Sequence, residues 1–378
     1  MSRFFDYFGL APPPRPSRGL LDSFWHGLQT TLAATLDETI PAGSTVALLD
    51  YPVHGNTGDH LIMLGTECWA ARANLNVVGR WHADNFRFPT FSEDTIIVCH
   101  GGGNFGDLYR YQRHREQIIE AYPRHRIVIL PQTIYYRSQD RLRESAARMR
   151  RHADLHVLVR DRRSLAVAEA AFPTCRPTLA PDMAAFLYPF DLQMGCEPSP
   201  VARREIFCLC RRDMERTNLA SLPGLEDVQC LDWDDVTPMH RYYVWGAVAI
   251  AYLFGKAYSA RWAADRWHAF CRNRAIRAAR LMIGAQCVVS NRLHGHILAC
   301  LLGLPNLLFD NTYGKCSDYF NAWHAELPFA RLIVPDRGDC PNFRGNAAKM
   351  GLSPSGRKGT GTFFGPSGPK NEPVPGAR

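Results

Sequence analysis

The sequence predicts an α/β fold of two facing Rossmann-like domains with a cleft between them. Three observations point to it. Short apolar runs of the buried-strand kind alternate with segments of helical spacing. Prolines and irregular polarity interrupt this alternation at residues 182–200, after which it restarts. The chain of 378 residues also exceeds what one hydrophobic core usually supports.

The elements follow in order. STVALLD (44–50) reads as a strand buried on both faces, as parallel sheets require, and the loop YPVHGNTGD follows it. In HLIMLGTECWAARANL (60–75), Leu61, Leu64, Cys68 and Ala71 share a helical face. TIIVCH (95–100) is the second strand, followed by GGGNFGD. QRHREQIIEAYP (112–123) is a helix ended by Pro123. RIVILPQT (126–133) is the third strand, 140–152 a charged helix, LHVLVRD (155–161) the fourth strand and RRSLAVAEAAF (162–172) a helix. In the second half, EIFCLCRRD (205–213) and VQCLDW (228–233) are strands. Residues 263–284 form a long helix, and QCVVSN (286–291) and NLLFDN (306–311) are strands. The implied organisation is an extension (1–43), one domain (44–190), a second (191–344), and a tail (345–378). The tail is too rich in Gly, Pro, Ser and Lys to fold, so disorder is expected there.

Composition narrows the function. A formal net charge of +8 suggests acidic partners: phosphorylated substrates or an anionic membrane surface. No basic and aromatic cluster forms a nucleic-acid module, so nucleic acid is not expected. The first residues lack the apolar core of a secretory signal. The cysteines sit inside apolar runs without CxxC or zinc-finger spacing, which suits reduced, buried thiols of a cytoplasmic protein. YYVWGAVAIAYLFG (242–255) is too short to span a bilayer, and basic residues flank it. It is expected to be either a buried helix with a solvated basic continuation or an interfacial patch on anionic lipid.

In open α/β sheets, ligands bind beyond the C-terminal ends of strands. The loop after the first strand offers Asn56 and Asp59, with Asp59 in position to cap the next helix. After the second, Gly101, Gly103 and Gly106 match GxGxxG. No carboxylate ends the following strand, so a dinucleotide is discounted. What remains is Gly101, Gly102 and Gly103 as open backbone N–H groups, with Asn104 and Asp107 beside them for sugar hydroxyls. Arg160 after the fourth strand and Arg211 after the fifth are candidate anion sites; the alternative for Arg160 is a surface ion pair with Asp161. Arg292 and His294 interrupt VVSNRLHGHILACLLGLPNLLFD at a strand-to-helix turn, where the helix start favours anions. Arg292 with Gly295 would grip an anion, and His294 would move protons. His296 makes an HxH pair, but further ligands cannot be placed, so no metal is expected.

In this order, Asn56-x-Gly58-Asp59, GGGNFGDLY (101–109), LPQT (130–133), RDRRS (160–164), APDMA (180–184), RRD (211–213), SNRLHGHILACLLGLP (290–305) and DNTYGK (310–315), followed by Tyr319 and Trp323, resemble the polysaccharide pyruvyl transferase family, most of all its bacterial exopolysaccharide branch. The resemblance covers roughly residues 44–325. It implies a GT-B-like architecture with phosphoenolpyruvate as donor and no cofactor. A cyclic pyruvate ketal would form across two sugar hydroxyls of an exopolysaccharide unit, with release of phosphate. The acceptor is implied to be a lipid-linked oligosaccharide at the cytoplasmic face of the inner membrane. Arg292 and His294 are implied in the donor site, with Arg160 the candidate for an arginine after the fourth strand. Donor binding would then fall to Arg160, Arg211, Arg292 and Gly295, in the second domain chiefly. Acceptor binding would fall to Asn56, Asp59, Gly101, Gly102, Gly103, Asn104 and Asp107 in the first. The rivals are a sugar-nucleotide glycosyltransferase on the same architecture and a non-catalytic sugar- or phosphate-binding protein.

Overall fold

A computed structural model describes residues 2–84, 86–195, 199–212, 219, 224–236, 261–310 and 314–334. The stretch 242–255 and the tail 345–378 lie outside them. Two parallel sheets form the frame. The first contains β1 (Thr45–Leu49), β2 (Asn76–Arg80), β3 (Ile96–Cys99), β4 (Gly102–Gly106), β5 (Ile127–Tyr135), β6 (Leu155–Val159) and β7 (Thr178–Leu179). Its order is β2-β1-β3-β5-β6-β7, with β4 also paired to β5. The second contains β8 (Arg204–Leu209), β9 (Cys230–Leu231), β10 (Ala285–Ser290), β11 (Asn306–Phe309) and β12 (Ala330–Ile333), in the order β12-β11-β10-β8-β9. Strands such as Thr45–Leu49 and Leu155–Val159 are apolar and almost wholly buried because helices cover both faces.

These orders locate the ligand crevices. In the first sheet the chain winds outward in opposite directions from β1 and β3. In the second it does so from β8 and β10. Side chains beyond the C-terminal ends of those four strands therefore overlook a topological switch point in each sheet.

The two halves share apolar packing. One cluster joins Val46, Leu48 and Val98 of the first sheet to Phe207, Leu209 and Val288 of the second. Helix α2 (Arg18–Thr39) and helix α3 (Thr57–Arg72) supply much of it, and Phe190 and Met194 beside the expected domain boundary belong to it. Helix α3 is buried on nearly all sides, which explains an apolar content beyond one amphipathic stripe. Residues 2–43 are built into this frame. Trp25 of α2 stacks on Tyr188 with ring centroids 5.8 Å apart and meets His324 edge-on. Phe4 and Phe5 of α1 (Ser2–Tyr7) join a cluster with Ile206, Val289 and Phe309.

Several elements differ from the reading of the sequence. GGGNFG is not a loop leading into a helix. It runs as β4 alongside β5, and Gly102 and Gly106 take φ of +128° and +138°, which disfavour any side chain. It therefore does not lead directly into a helix, and helix α4 (Tyr111–Ala121) begins only later. β2, β7 and β12 escape detection because they are short or lie on the sheet edges, where apolar alternation is weak. The basic continuation after residue 255 is not uniformly solvated, since Arg274 in the helix Arg261–Ile283 is buried. None of the described helices is long and apolar enough to cross a membrane.

Trp25→Ala should lower the unfolding free energy by about 3–5 kcal/mol, because a fully buried indole joining α2 to both halves is lost. Urea denaturation measures it; a change within 0.5 kcal/mol, the ordinary range for surface substitutions, would show that α2 is dispensable.

Candidate active site

A cavity of about 480 Å³ opens where the two switch points meet. It is lined from the first half by His54, Asn56, Gly58, Asp59, Gly103, Asn104, Tyr109, Tyr111 and Arg160, and from the second by Arg211, Trp233, Asp234, Arg292, His294 and Lys315. Four of these side chains, Arg160, Arg211, Arg292 and Lys315, are cationic at neutral pH.

The buried carboxylate of Asp182 organises one wall. One of its oxygens receives Arg160 Nη1 at 2.5 Å and lies 3.2 Å from His294 Nε2. The other accepts the Ala184 N–H at 2.9 Å. Burial alone raises the Asp182 carboxyl. The charge and hydrogen bond of His294, the Arg160 guanidinium and the Ala184 N–H outweigh it and hold the group well below the usual carboxylate range. Arg160 does not form the surface pair with Asp161 that the sequence left open. It is fully buried, whereas Asp161 caps the helix Arg162–Ala171 by accepting the Ser164 N–H. Arg160 Nε donates to Thr133 Oγ1 at 3.0 Å, and its carbonyl accepts Trp323 Nε1 at 2.9 Å.

Arg160 Nη2 is buried without a hydrogen-bond partner among the described residues. A Cβ at Gly103 would fall 3.1 Å from it and would collide with the Lys315 ammonium. Gly103 thus leaves room for two cationic heads to converge. Lys315 begins the helix Lys315–Trp323, following Gly314 at φ +88°. Opposite, Arg292 donates to Asp232 through two nitrogens, Nη2 at 2.6 Å from Oδ2. It is the N-cap position of the helix Leu293–Leu301, so the sequence placed it at the correct turn, but much of its charge is already matched by Asp232.

His294 lies against the first half. A Cβ at Gly58 would sit 3.0 Å from its Nδ1. The loop there is held by Asn56, whose Oδ1 accepts the Gly58 N–H at 3.0 Å. Asn56, and not Asp59, is therefore the cap of α3. Asp59 accepts Asn56 Nδ2 at 2.9 Å and lies 3.4 Å from His54 Nε2. Burial raises its carboxyl, but His54, His100, His294 and Lys315 outweigh this and lower it. Arg274 reaches across from the second half to Gly55 O at 2.6 Å and Thr57 Oγ1 at 3.1 Å, fixing the loop.

The structure therefore gathers Asn56, Asp59, Gly103, Asn104, Arg160, Arg211, Arg292 and His294 at one cavity. It does not bring Gly101, Gly102, Asp107 or Gly295 to it. Asp107 accepts the Arg137 and Ser138 N–H groups, each at 2.8 Å, and so pins the end of β5. A Cβ at Gly101 would meet Pro131 O at 2.9 Å, and Gly102 belongs to β4. Gly295 gives its N–H to Arg292 O, and its bare Cα permits contact with Ser290 and Leu209, so it packs the helix on its sheet. Asn104 reaches the cavity with its amide oxygen already bonded to Arg115 and Gln132. His296 points into the core, bonded to Asn306 Oδ1 at 2.6 Å and His324 Nδ1 at 2.8 Å. His54, Tyr109, Tyr111 and Lys315 were not singled out from sequence, nor were Asp182 and Asp232 behind the wall. Lys315 obeys the same rule as Arg292, a cation at a helix start after a strand. Asp182 follows a two-residue strand too short to be recognised.

Fold and site together define an α/β protein with a cationic cavity at paired switch points, suited to a small polyanion beside an imidazole. The chain belongs to the polysaccharide pyruvyl transferase family, whose profile matches residues 56–313. It is a polysaccharide pyruvyl transferase, and the family supports pyruvate transfer to polysaccharide. It is 37% identical over 309 residues to the Bacillus subtilis (strain 168) protein named "Putative pyruvyl transferase EpsO", covering 81% of this chain and 93% of that one. It is 27% identical to "Pyruvyl transferase 1" of Schizosaccharomyces pombe (strain 972 / ATCC 24843), covering 78% and 74% of the two chains. A crystal structure of a functionally uncharacterized Klebsiella pneumoniae subsp. pneumoniae NTUH-K2044 protein shares the fold, with TM-score 0.54 and 20% identity, over 82% of this chain and 99% of that one.

Asp182→Asn should destabilise the protein by about 3–5 kcal/mol at neutral pH, since it leaves the buried Arg160 guanidinium unpaired. Because the native carboxyl is depressed, its contribution is complete above the unfolded pKa of about 4 and is lost as pH falls below it. The stability gap between wild type and variant should therefore narrow under acid. Urea midpoints across pH 3–7 measure it, and a gap that widens under acid contradicts this role.

Proposed function

We propose that the cavity binds phosphoenolpyruvate and transfers its pyruvyl carbons to two hydroxyls of a sugar, as a cyclic ketal. The observation that carries this reading is the convergence of Arg160 Nη2 and Lys315 Nζ beside Gly103, one side chain away from His294 on the shared Asp182 carboxylate. A donor with adjacent phosphate and carboxylate groups needs several converging cations, and a lone buried guanidinium N–H needs an acceptor. Arg211 and Arg292 add cations from the facing side of the cavity, so the donor subsite draws on both halves of a two-lobed, GT-B-like enzyme. The acceptor sugar takes the side of Asn56, Asp59 and Asn104. Its attachment to a lipid carrier at the cytoplasmic face of the inner membrane, near anionic lipid, follows the family resemblance. The scheme needs no cofactor.

The chemistry then proceeds in two additions. His294 gives a proton to the methylene carbon of the donor, which becomes the methyl group, while C2 acquires oxocarbenium character. The basic wall holds the phosphate and carboxylate as charge redistributes. A first sugar hydroxyl adds to C2 and returns its proton to His294. The second hydroxyl then displaces phosphate from C2; its proton leaves with the phosphate, through His294 or directly. Two C–O bonds form, the C2–O(phosphate) bond breaks, and one proton resides in the new methyl group. Asp182 keeps the imidazole aimed throughout, as a positioning residue.

Phosphoenolpyruvate should raise the melting temperature, whereas UDP and GDP should not; the reverse result would mark a sugar-nucleotide glycosyltransferase. His294→Ala should cut phosphate release by at least about 100-fold while donor affinity stays within about tenfold, or 1.4 kcal/mol. Lys315→Ala should instead weaken the donor by more than about tenfold. Near-normal phosphate release from His294→Ala would remove the histidine from the mechanism.

A further inference from the structure

Where β8 pairs with β9 lies a group of three thiols that the reaction does not use. Cys208 is on β8, Cys210 follows it, and Cys230 is on β9. In sequence they look unrelated, a CxC pair and a cysteine twenty positions on. The parallel pairing of β8 with β9 puts Cys230 directly opposite Cys208. Cys208 and Cys210 project from the same face because they are two apart on an extended backbone. The sulfurs therefore meet: Cys208 Sγ lies 3.3 Å from Cys210 Sγ and 3.1 Å from Cys230 Sγ, and all three sulfurs are within 4.8 Å of one another.

We propose that Cys208, Cys210 and Cys230 form a binding site for one thiophilic d¹⁰ cation, such as Zn²⁺, as three thiolates with an open fourth position. Zinc–sulfur bonds of about 2.3 Å in a tetrahedron separate the sulfurs by about 3.8 Å. The two spacings at Cys208 fall short of this by about 0.7 Å and about 0.5 Å. Cys208 and Cys210 are buried, whereas Cys230 is half-buried and gives an approach from solvent. Arg212 supplies positive charge beside the site, with its Nη2 on the Cys230 carbonyl at 3.0 Å. The site would act on the cavity through the chain. Asp232, two residues beyond Cys230, holds Arg292, and it also accepts the Arg212 N–H at 3.1 Å. A cation bridging β8 to β9 would fix that carboxylate. The other grouped donors among the described residues, His296, Cys300 and His324, are fully buried, and the two histidines already bond to each other.

Titrating the full-length protein with Cd²⁺ under a non-coordinating reductant tests the proposal. The expected result is a thiolate-to-metal charge-transfer band of three-thiolate intensity that saturates at one equivalent per chain. Zn²⁺ should displace Cd²⁺ and raise the melting temperature. Cys230→Ser should weaken the affinity at least about tenfold, Cys210→Ser should do the same, and Cys300→Ala should leave it unchanged. Far-ultraviolet circular dichroism confirms that each variant is folded, and two independent ligand variants guard against loss of one. The proposal is overturned if no band saturates at one equivalent, or if folded Cys230→Ser or Cys210→Ser retains the wild-type band.

Discussion

The carboxylate of Asp182 is the constraint on which the candidate active site depends. It is buried, so it must be compensated, and its partners come from both halves of the molecule: Arg160 from the end of β6 and His294 from the helix after β10. One anion therefore aligns a cation from the first sheet with the imidazole from the second. The pairing also leaves one Arg160 nitrogen without a partner among the described residues, facing Gly103 and Lys315. A site that satisfied all its own polar groups would have little affinity for an anion; this one keeps an unmet donor on the wall of the cavity.

The paired switch points explain why the candidate site lies where it does. Each parallel sheet opens one crevice where its winding reverses. Here the crevices following β1 and β3 and those following β8 and β10 border a single cavity. Arg274 and Trp323 cross between the halves and bond to the very segments that carry Asn56 and Arg160. The shared apolar cluster under α2 and α3 adds to these ties. The position of His294 against Gly58 is thus set by contacts distributed over both sheets, not by the local turn alone.

Much of this was legible in the sequence, and the limits have physical causes. Strands buried on both faces announce themselves as continuous apolar runs, so β1, β3, β5, β6, β8, β10 and β11 were found. Arg292 and His294 stood out because a pair of polar side chains is costly inside such a run. What pairing decides was not legible. GGGNFG looks like a phosphate loop in one dimension, and only its alignment with β5 shows it to be a strand. Asp107 and Gly295 carry plausible residue types in plausible places, yet their polar groups are consumed by Arg137, Ser138 and Arg292. The partnership of Asp182 with His294 spans 112 positions, and no local pattern encodes it.

The docking of Phe4 and Phe5 against Ile206, Val289 and Phe309 sets a limit on the order of assembly. During synthesis these two phenylalanines are made before their partners, and the apolar surface that covers them is finished only after about three hundred further residues have been made. Contacts so distant in sequence close late and slowly. Until then the nascent chain carries exposed aromatic side chains, a demand on chaperones that arises from topology and not from the catalytic residues.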